Sequence, residues 1–226
     1  MTSITVACLD MAGTTVRDDG VVMDAFRAAV PGAGTEAMDY VRATMGQSKI
    51  EVFRHILSGD EQAARQANAA FEYAYAASVR AGAVQALPGA EDTLRALRDA
   101  GVRICLSTGF SPATRDAILD ALGWRPLADL VLSPADAGRG RPWPDMPLTA
   151  LLRLGGGAVS ELAVAGDTPS DVESGLRAGA GLVAGVLTGS ATRDDLTAAG
   201  APVILDDITG LLDRLLSTAL VDAAVH

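Results

Sequence analysis

Cysteine and histidine are nearly absent. The 226 residues hold two of each: Cys8 and Cys105, His55 and His226. Two thiols build neither a disulfide framework nor a thiolate zinc site. Both lie inside apolar runs and read as buried core thiols. Two histidines leave no material for a Ser-His-Asp triad or a His-rich metal centre. Positive charge is also in deficit, with 18 Lys+Arg against 28 Asp+Glu and a formal net charge of −10. That excess repels nucleic acid and anionic lipid, so neither is expected as a partner, and an anionic substrate needs a locally positive pocket. No run nears the ~18 consecutive apolar residues of a membrane span. The N-terminal MTSITVACLD lacks the basic and long apolar regions of a signal peptide. These absences lead to the expectation of a cytoplasmic protein.

What is present is ample apolar material, 49% of residues, which suffices for a core in a chain of this length. Short apolar runs recur, each ending at a polar or turn residue: Ile4–Leu9 before Asp10, Val102–Leu106 before Ser107, Leu130–Leu132, Glu161–Ala165, Gly181–Val186 and Pro202–Leu205. Helical spacing lies between them, in Glu91–Ala100, in Thr114–Leu122, and in Ile208, Leu211, Leu212, Leu215 and Leu216. Alternating strands and helices predict an α/β fold with a parallel sheet covered on both faces. Residues 16–87 differ. They read as helices only, at Val22–Val30, Glu36–Met45, Lys49–Leu57 and Glu61–Ala81, with Phe71, Tyr75 and Val79 on one stripe. The expected organisation is a core of residues 1–15 and 88–226 with an inserted helical cap at 16–87. Phe53, Phe71, Tyr73, Tyr75 and Trp143 are expected to pack in the core or cap.

Ligands of open α/β sheets bind beyond the carboxyl ends of the strands. The polar residues there are Asp10, Thr108 with Gly109, Arg141, and Asp167 with Asp171. Each has an ordinary reading as a helix cap, a loop or a surface residue. Together they suit phosphoryl transfer: a carboxylate nucleophile or metal ligand, a hydroxyl and amide for phosphate oxygens, an arginine for an oxyanion, and oxygen ligands for Mg²⁺.

The ordered segments DMAGTTV (10–16), LSTGFS (106–111), GRPWPD (140–145) and GDTPSD (166–171) resemble the four motifs of the haloacid dehalogenase superfamily. The resemblance covers nearly the whole chain, cap position included. It implies a Rossmann-like core, Asp10 as covalent nucleophile, and Mg²⁺ held by Asp10, the Ala12 carbonyl and Asp167, with Asp171 supporting the metal's water shell. It further implies that Thr108, Gly109 and Arg141 bind the phosphoryl group. Phosphatases of the superfamily carry a general acid two residues after the nucleophile, where this chain has Ala12. The D-x-A-G-T-T pattern resembles phosphonoacetaldehyde hydrolase, or phosphonatase. Such enzymes cleave a P–C bond after a cap lysine forms a Schiff base with the substrate aldehyde. The matching cap segment is Met45-Gly-Gln-Ser-Lys49. Two positions depart from that family: Val52 stands where it has histidine, and Gly20 where it has cysteine. Three readings of Lys49 stay open: imine former, anion clamp and solvated cation. The expected substrate is a small phosphonate, with a small phosphate ester as the alternative. A non-catalytic phosphate-binding domain is the rival from another class. Dimerisation through the cap is implied by the resemblance alone.

Overall fold

The computed structural model describes residues 4 to 215. Six strands form one sheet: β1 (Val6–Asp10), β2 (Arg103–Ser107), β3 (Leu130–Leu132), β4 (Leu162–Gly166), β5 (Leu182–Val186) and β6 (Val203–Leu205). They lie in the order β3-β2-β1-β4-β5-β6, every pair parallel. Asp10 lies level with Ser107, so the carboxyl ends of the two strands share one edge of the sheet.

The two-residue period of β1 and β4 distributes their side chains between two covers. Ala7, Leu9, Ala163 and Ala165 pack on one side with Leu94 and Leu97 of α5 (Ala90–Asp99), Ile118 and Leu119 of α6 (Pro112–Leu122), and Leu211 of a helix over 210–215. Val6, Cys8, Leu162 and Val164 face the other side with Met146, Ala150 and Leu151 of α8 (Asp145–Arg153) and Ala178 of α9 (Pro169–Ala178). Every residue of β1 and β4 is therefore buried, as a doubly covered parallel sheet requires. Cys8 and Cys105 are buried, unbridged neighbours on β1 and β2. Two short helices, α7 (Pro134–Ala137) and α10 (Arg193–Ala198), complete the core.

The region expected to be helical only carries α1 (Val21–Ala29), α2 (Thr35–Ala43), α3 (Lys49–Ile56) and α4 (Glu61–Arg80). α4 follows from its alanine-rich composition and from Asp60, whose side chain accepts the Ala63 N–H at 3.0 Å. Its Ala64, Ala67, Phe71, Tyr75 and Val79 make the buried stripe. The chain leaves and returns side by side: Val16 bridges Ala86, Arg17 N–H donates to Gln85 O at 2.8 Å, and Leu87 N–H donates to Thr15 O at 3.0 Å. Phe26, Phe53, Phe71 and Tyr75 of the insert cluster with Phe110 of the core, with centroids 4.6–6.2 Å apart.

Two aromatic expectations are corrected. Tyr73 is 76% exposed, because its place two residues from both Phe71 and Tyr75 turns it to the opposite face of α4. Trp143 is 46% exposed, with the Arg139 and Arg177 guanidinium groups 4.2 and 5.3 Å from its ring centroid. Residues 1–3 and 216–226 of the expected core, including Leu216 of the C-terminal stripe and His226, lie outside the described residues. No helix among the described residues is long and apolar enough to cross a membrane.

Candidate active site

The turn after β1 and the start of α9 meet where β1 and β4 end. Gly13 permits that approach. Its φ is 91°, and a Cβ there would sit 2.6 Å from Asp167 Cγ. α9 begins with a capping box in which Thr168 Oγ1 receives the Asp171 N–H while the Asp171 carboxylate accepts the Thr168 N–H at 3.1 Å. The cap thus aims Asp171 back at the strand ends.

Asp10, Asp167 and Asp171, all buried, each present a carboxylate oxygen within 4.8 Å of the others. Arg141, only 5% exposed, runs through this group. Its Nη1 donates to Asp10 Oδ1 at 2.6 Å, its Nε pairs with Asp171 Oδ1 at 2.7 Å, and its Nη2 donates to Ser107 Oγ at 2.6 Å. Asp167 accepts from the Ser190 N–H at 2.8 Å and from Thr14 Oγ1 at 3.3 Å. One guanidinium does not discharge three carboxylates. Burial, opposed by Arg141 and reinforced by Asp171, pushes the Asp10 carboxyl up to about 7. Burial together with the charges of Asp10 and Asp171 pushes Asp167 up to about 8. A buried, undercompensated set of hard oxygen donors fits a divalent cation such as Mg²⁺.

A cavity of about 160 Å³ opens on this centre. It is lined by Asp10, Ala12, Asp18, Met45, Gly46, Lys49, Thr108, Gly109 and Asp167, among others. Its size suits a molecule of few heavy atoms, since sites for drug-sized ligands run to ~300 Å³ and above. Lys49, the first residue of α3, is 7% exposed. Its Nζ has no hydrogen-bond or ion-pair partner among the described residues and lies 5.2 Å from the Phe110 ring centroid and 5.9 Å from that of Phe26. Desolvation lowers its pKa from 10.5 to about 8, against the opposing pull of Asp10 and Asp18. Burial is therefore the leading cause, with Arg141 a lesser one.

Thr108 N–H donates to Leu132 O at 3.0 Å, and its hydroxyl oxygen accepts the Phe110 N–H at 3.2 Å, leaving the hydroxyl proton to donate. Gly109 abuts the insert: a Cβ there would lie 2.4 Å from Gln47 O and 2.7 Å from Gly46 O. Beyond Lys49, Gly109 and Phe110, which line both spaces, lies a larger cleft of about 920 Å³ reaching the stacked Tyr40 and His55 rings and Trp143.

All nine residues singled out in the sequence, Asp10, Ala12, Met45, Lys49, Thr108, Gly109, Arg141, Asp167 and Asp171, gather at this one place. Sequence reasoning passed over Asp18, Ser107 and Ser190. Ser107 ends the apolar run of β2, where the strand-end rule points to it, whereas Ser190 lies four residues beyond the end of β5 in the following loop. Asp18 sits in the Arg17-Asp18-Asp19 charge run, which looks like ordinary surface.

Comparison with known proteins agrees with this geometry. The family model for haloacid dehalogenase-like hydrolases matches residues 4–179. The chain is 32% identical to "Probable phosphatase IndB" of Dickeya dadantii, over 92% of this chain and 93% of that one. It is 33% identical to a phosphonoacetaldehyde hydrolase of Pseudomonas putida, over 46% of this chain but only 38% of that enzyme. Among solved structures, a phosphonoacetaldehyde hydrolase like protein from Oleispira antarctica superposes with a TM-score of 0.80 at 24% identity, covering 95% and 94% of the two chains. A hydrolase from Pseudomonas syringae gives 0.82 at 24% identity, covering 94% and 98%. The strand-end carboxylates, the helical insert and the family match over most of the chain carry one conclusion: the protein belongs to the haloacid dehalogenase-like hydrolases.

Proposed function

We propose that the chain is a phosphonatase-type member of this family that cleaves the P–C bond of a small phosphonate aldehyde such as phosphonoacetaldehyde. The observation that carries this reading is Lys49: a buried amine without an ion-pair partner, its pKa lowered to about 8, on the wall of the cavity that holds Asp10. An anion clamp needs a charged amine, whereas an imine needs a neutral one, and desolvation favours the neutral form. Residues 16–87 act as the cap that brings Lys49 and Met45 over the core of 1–15 and 88–226.

In this reading Thr108 and Gly109 bind the phosphonate oxygens, and Arg141 contributes its fixed positive charge. Lys49 condenses with the aldehyde. Arg141 holds Asp10 Oδ1, and the other carboxylate oxygen attacks phosphorus. The P–C bond breaks and its electron pair passes through carbon into the iminium nitrogen, giving an enamine. No oxygen leaving group needs a proton, so Ala12 in place of a general acid is no handicap. Asp10, the Ala12 carbonyl and Asp167 would hold Mg²⁺, with Asp171 behind them, and the ion would neutralise the crowded carboxylates and the phosphoryl oxygens.

The second reading, a phosphatase of small phosphate esters with Lys49 as anion clamp, is favoured by the near full-length similarity to a protein named as a probable phosphatase. A Mg²⁺-dependent screen of phosphonoacetaldehyde against alkyl and aryl phosphate monoesters separates the two. The proposal expects phosphonoacetaldehyde to give the highest kcat/KM. An alkyl phosphate turned over equally well would support the second reading instead.

A further inference from the structure

Imine formation moves protons as well as electrons, and the residues that the phosphonatase family uses near its lysine are absent here. Val52 and Gly20 carry no titratable group. The cavity around Lys49 is lined by four titratable residues among those described: Asp10, Asp18, Lys49 and Asp167. Asp10 and Asp167 belong to the strand-end carboxylate cluster, which in the reading above attacks phosphorus and would hold the cation. Asp18 does not. It lies at the exit from the core to the insert, two residues before Gly20, the cap of α1. One carboxylate oxygen accepts the Val22 N–H at 3.1 Å, which fixes the group's position. Asp18 and Lys49 line the same cavity and act on each other electrostatically without forming an ion pair.

We propose that Asp18 is the proton-transfer residue for imine formation on Lys49, serving where the family's histidine and cysteine are missing. The inference rests on the imine reading above. The steps balance without an external acid. The Asp18 carboxylate takes one proton from the Lys49 ammonium by way of a water in the cavity, which also carries each later transfer between them. The neutral amine adds to the aldehyde carbon, the N–C bond forms, and Asp18 returns the proton to the carbonyl oxygen. Asp18 then takes a second proton from the new ammonium nitrogen and delivers it to the hydroxyl. The C–O bond breaks, water leaves, and the nitrogen lone pair forms the C=N bond of the iminium. Both protons lost by nitrogen end on the departing water, and Asp18 begins and ends as carboxylate. Burial raises the Asp18 pKa above its usual range, against the Val22 N–H and Lys49, and that suits a group which must hold a proton transiently.

The test is single-turnover trapping. Full-length wild type, Asp18→Asn and Asp18→Glu are mixed with phosphonoacetaldehyde, quenched with borohydride at successive times, and the adduct on Lys49 is followed by mass. Asn retains an oxygen acceptor for the Val22 N–H, so melting temperature should stay close to wild type. The proposal expects trapping to slow by ~10²-fold or more in Asp18→Asn, to recover in part in Asp18→Glu, and to slow far more than turnover of an aryl phosphate, which needs no imine. Trapping at the wild-type rate in Asp18→Asn overturns the assignment of Asp18 and leaves the imine reading standing. Absence of any adduct in wild type overturns both. If Asp18→Asn folds poorly, Asp18→Glu decides: a folded Glu variant that traps no faster than the Asn variant also refutes the proposal.

Discussion

Replacing Lys49 by methionine should stabilise the protein while abolishing P–C cleavage. The amine is buried, and its pKa is lowered from 10.5 to about 8, chiefly by desolvation. At ~1.4 kcal/mol per tenfold change, that drop means the charged form is disfavoured in the folded state by about 3 kcal/mol. Methionine keeps an unbranched stem of similar length beside Phe26 and Phe110 and carries no charge. The sign follows from proton counting. Between about pH 8 and 10.5 the unfolded chain keeps a proton on Lys49 that the folded chain has lost, so wild-type stability rises with pH through that window. Below about pH 8 the full penalty is present, and above 10.5 it is gone. Urea unfolding of wild type and Lys49→Met, in chelator so that no cation adds its own field, should show the variant ahead by up to about 3 kcal/mol at pH 7. That lead should shrink as pH rises toward 10, with m unchanged. A variant less stable at pH 7, or a difference independent of pH, would refute the claim that the amine is held desolvated.

Other expectations can be checked on the same protein. Gly109→Ala places a methyl against Gln47 O and Gly46 O, so kcat/KM should fall at least tenfold as the insert is pushed from the core; steady-state kinetics measures this. Ala12→Asp supplies the missing general acid and should raise turnover of alkyl phosphates, where such acids are typically worth ~10²–10⁴-fold, and change aryl phosphates less. Chelation should remove activity and added Mg²⁺ restore it, with a higher melting temperature when the ion discharges Asp10, Asp167 and Asp171.

The sheet was legible because each strand is a short apolar run closed by a polar or turn residue. Runs such as Val102–Leu106 and Leu130–Leu132 fall within one residue of β2 and β3. The insert was legible from helical spacing, as in Phe71, Tyr75 and Val79 of α4. Aromatic character alone predicts burial for Tyr73, but its position on α4 faces it outward. The site's membership followed from strand ends and motif order, but its electrostatics did not. The pairing of Arg141 with Asp10 and Asp171 joins residues far apart in sequence. The enclosure of Lys49 depends on Phe26 from the insert and Phe110 from the core, and no local pattern around Lys49 reports it. Asp18 is not legible locally for the same reason: the cavity it lines is assembled from both parts of the chain.

The most direct test of the account is equilibrium trapping of the wild-type protein. The enzyme is incubated with phosphonoacetaldehyde and Mg²⁺, reduced with borohydride, and mapped by peptide mass, with Lys49→Arg alongside. The account predicts one reduced adduct on Lys49 in wild type, none in Lys49→Arg, and no phosphate release by that variant. Phosphate release from phosphonoacetaldehyde by Lys49→Arg, with no adduct on wild-type Lys49, would contradict it.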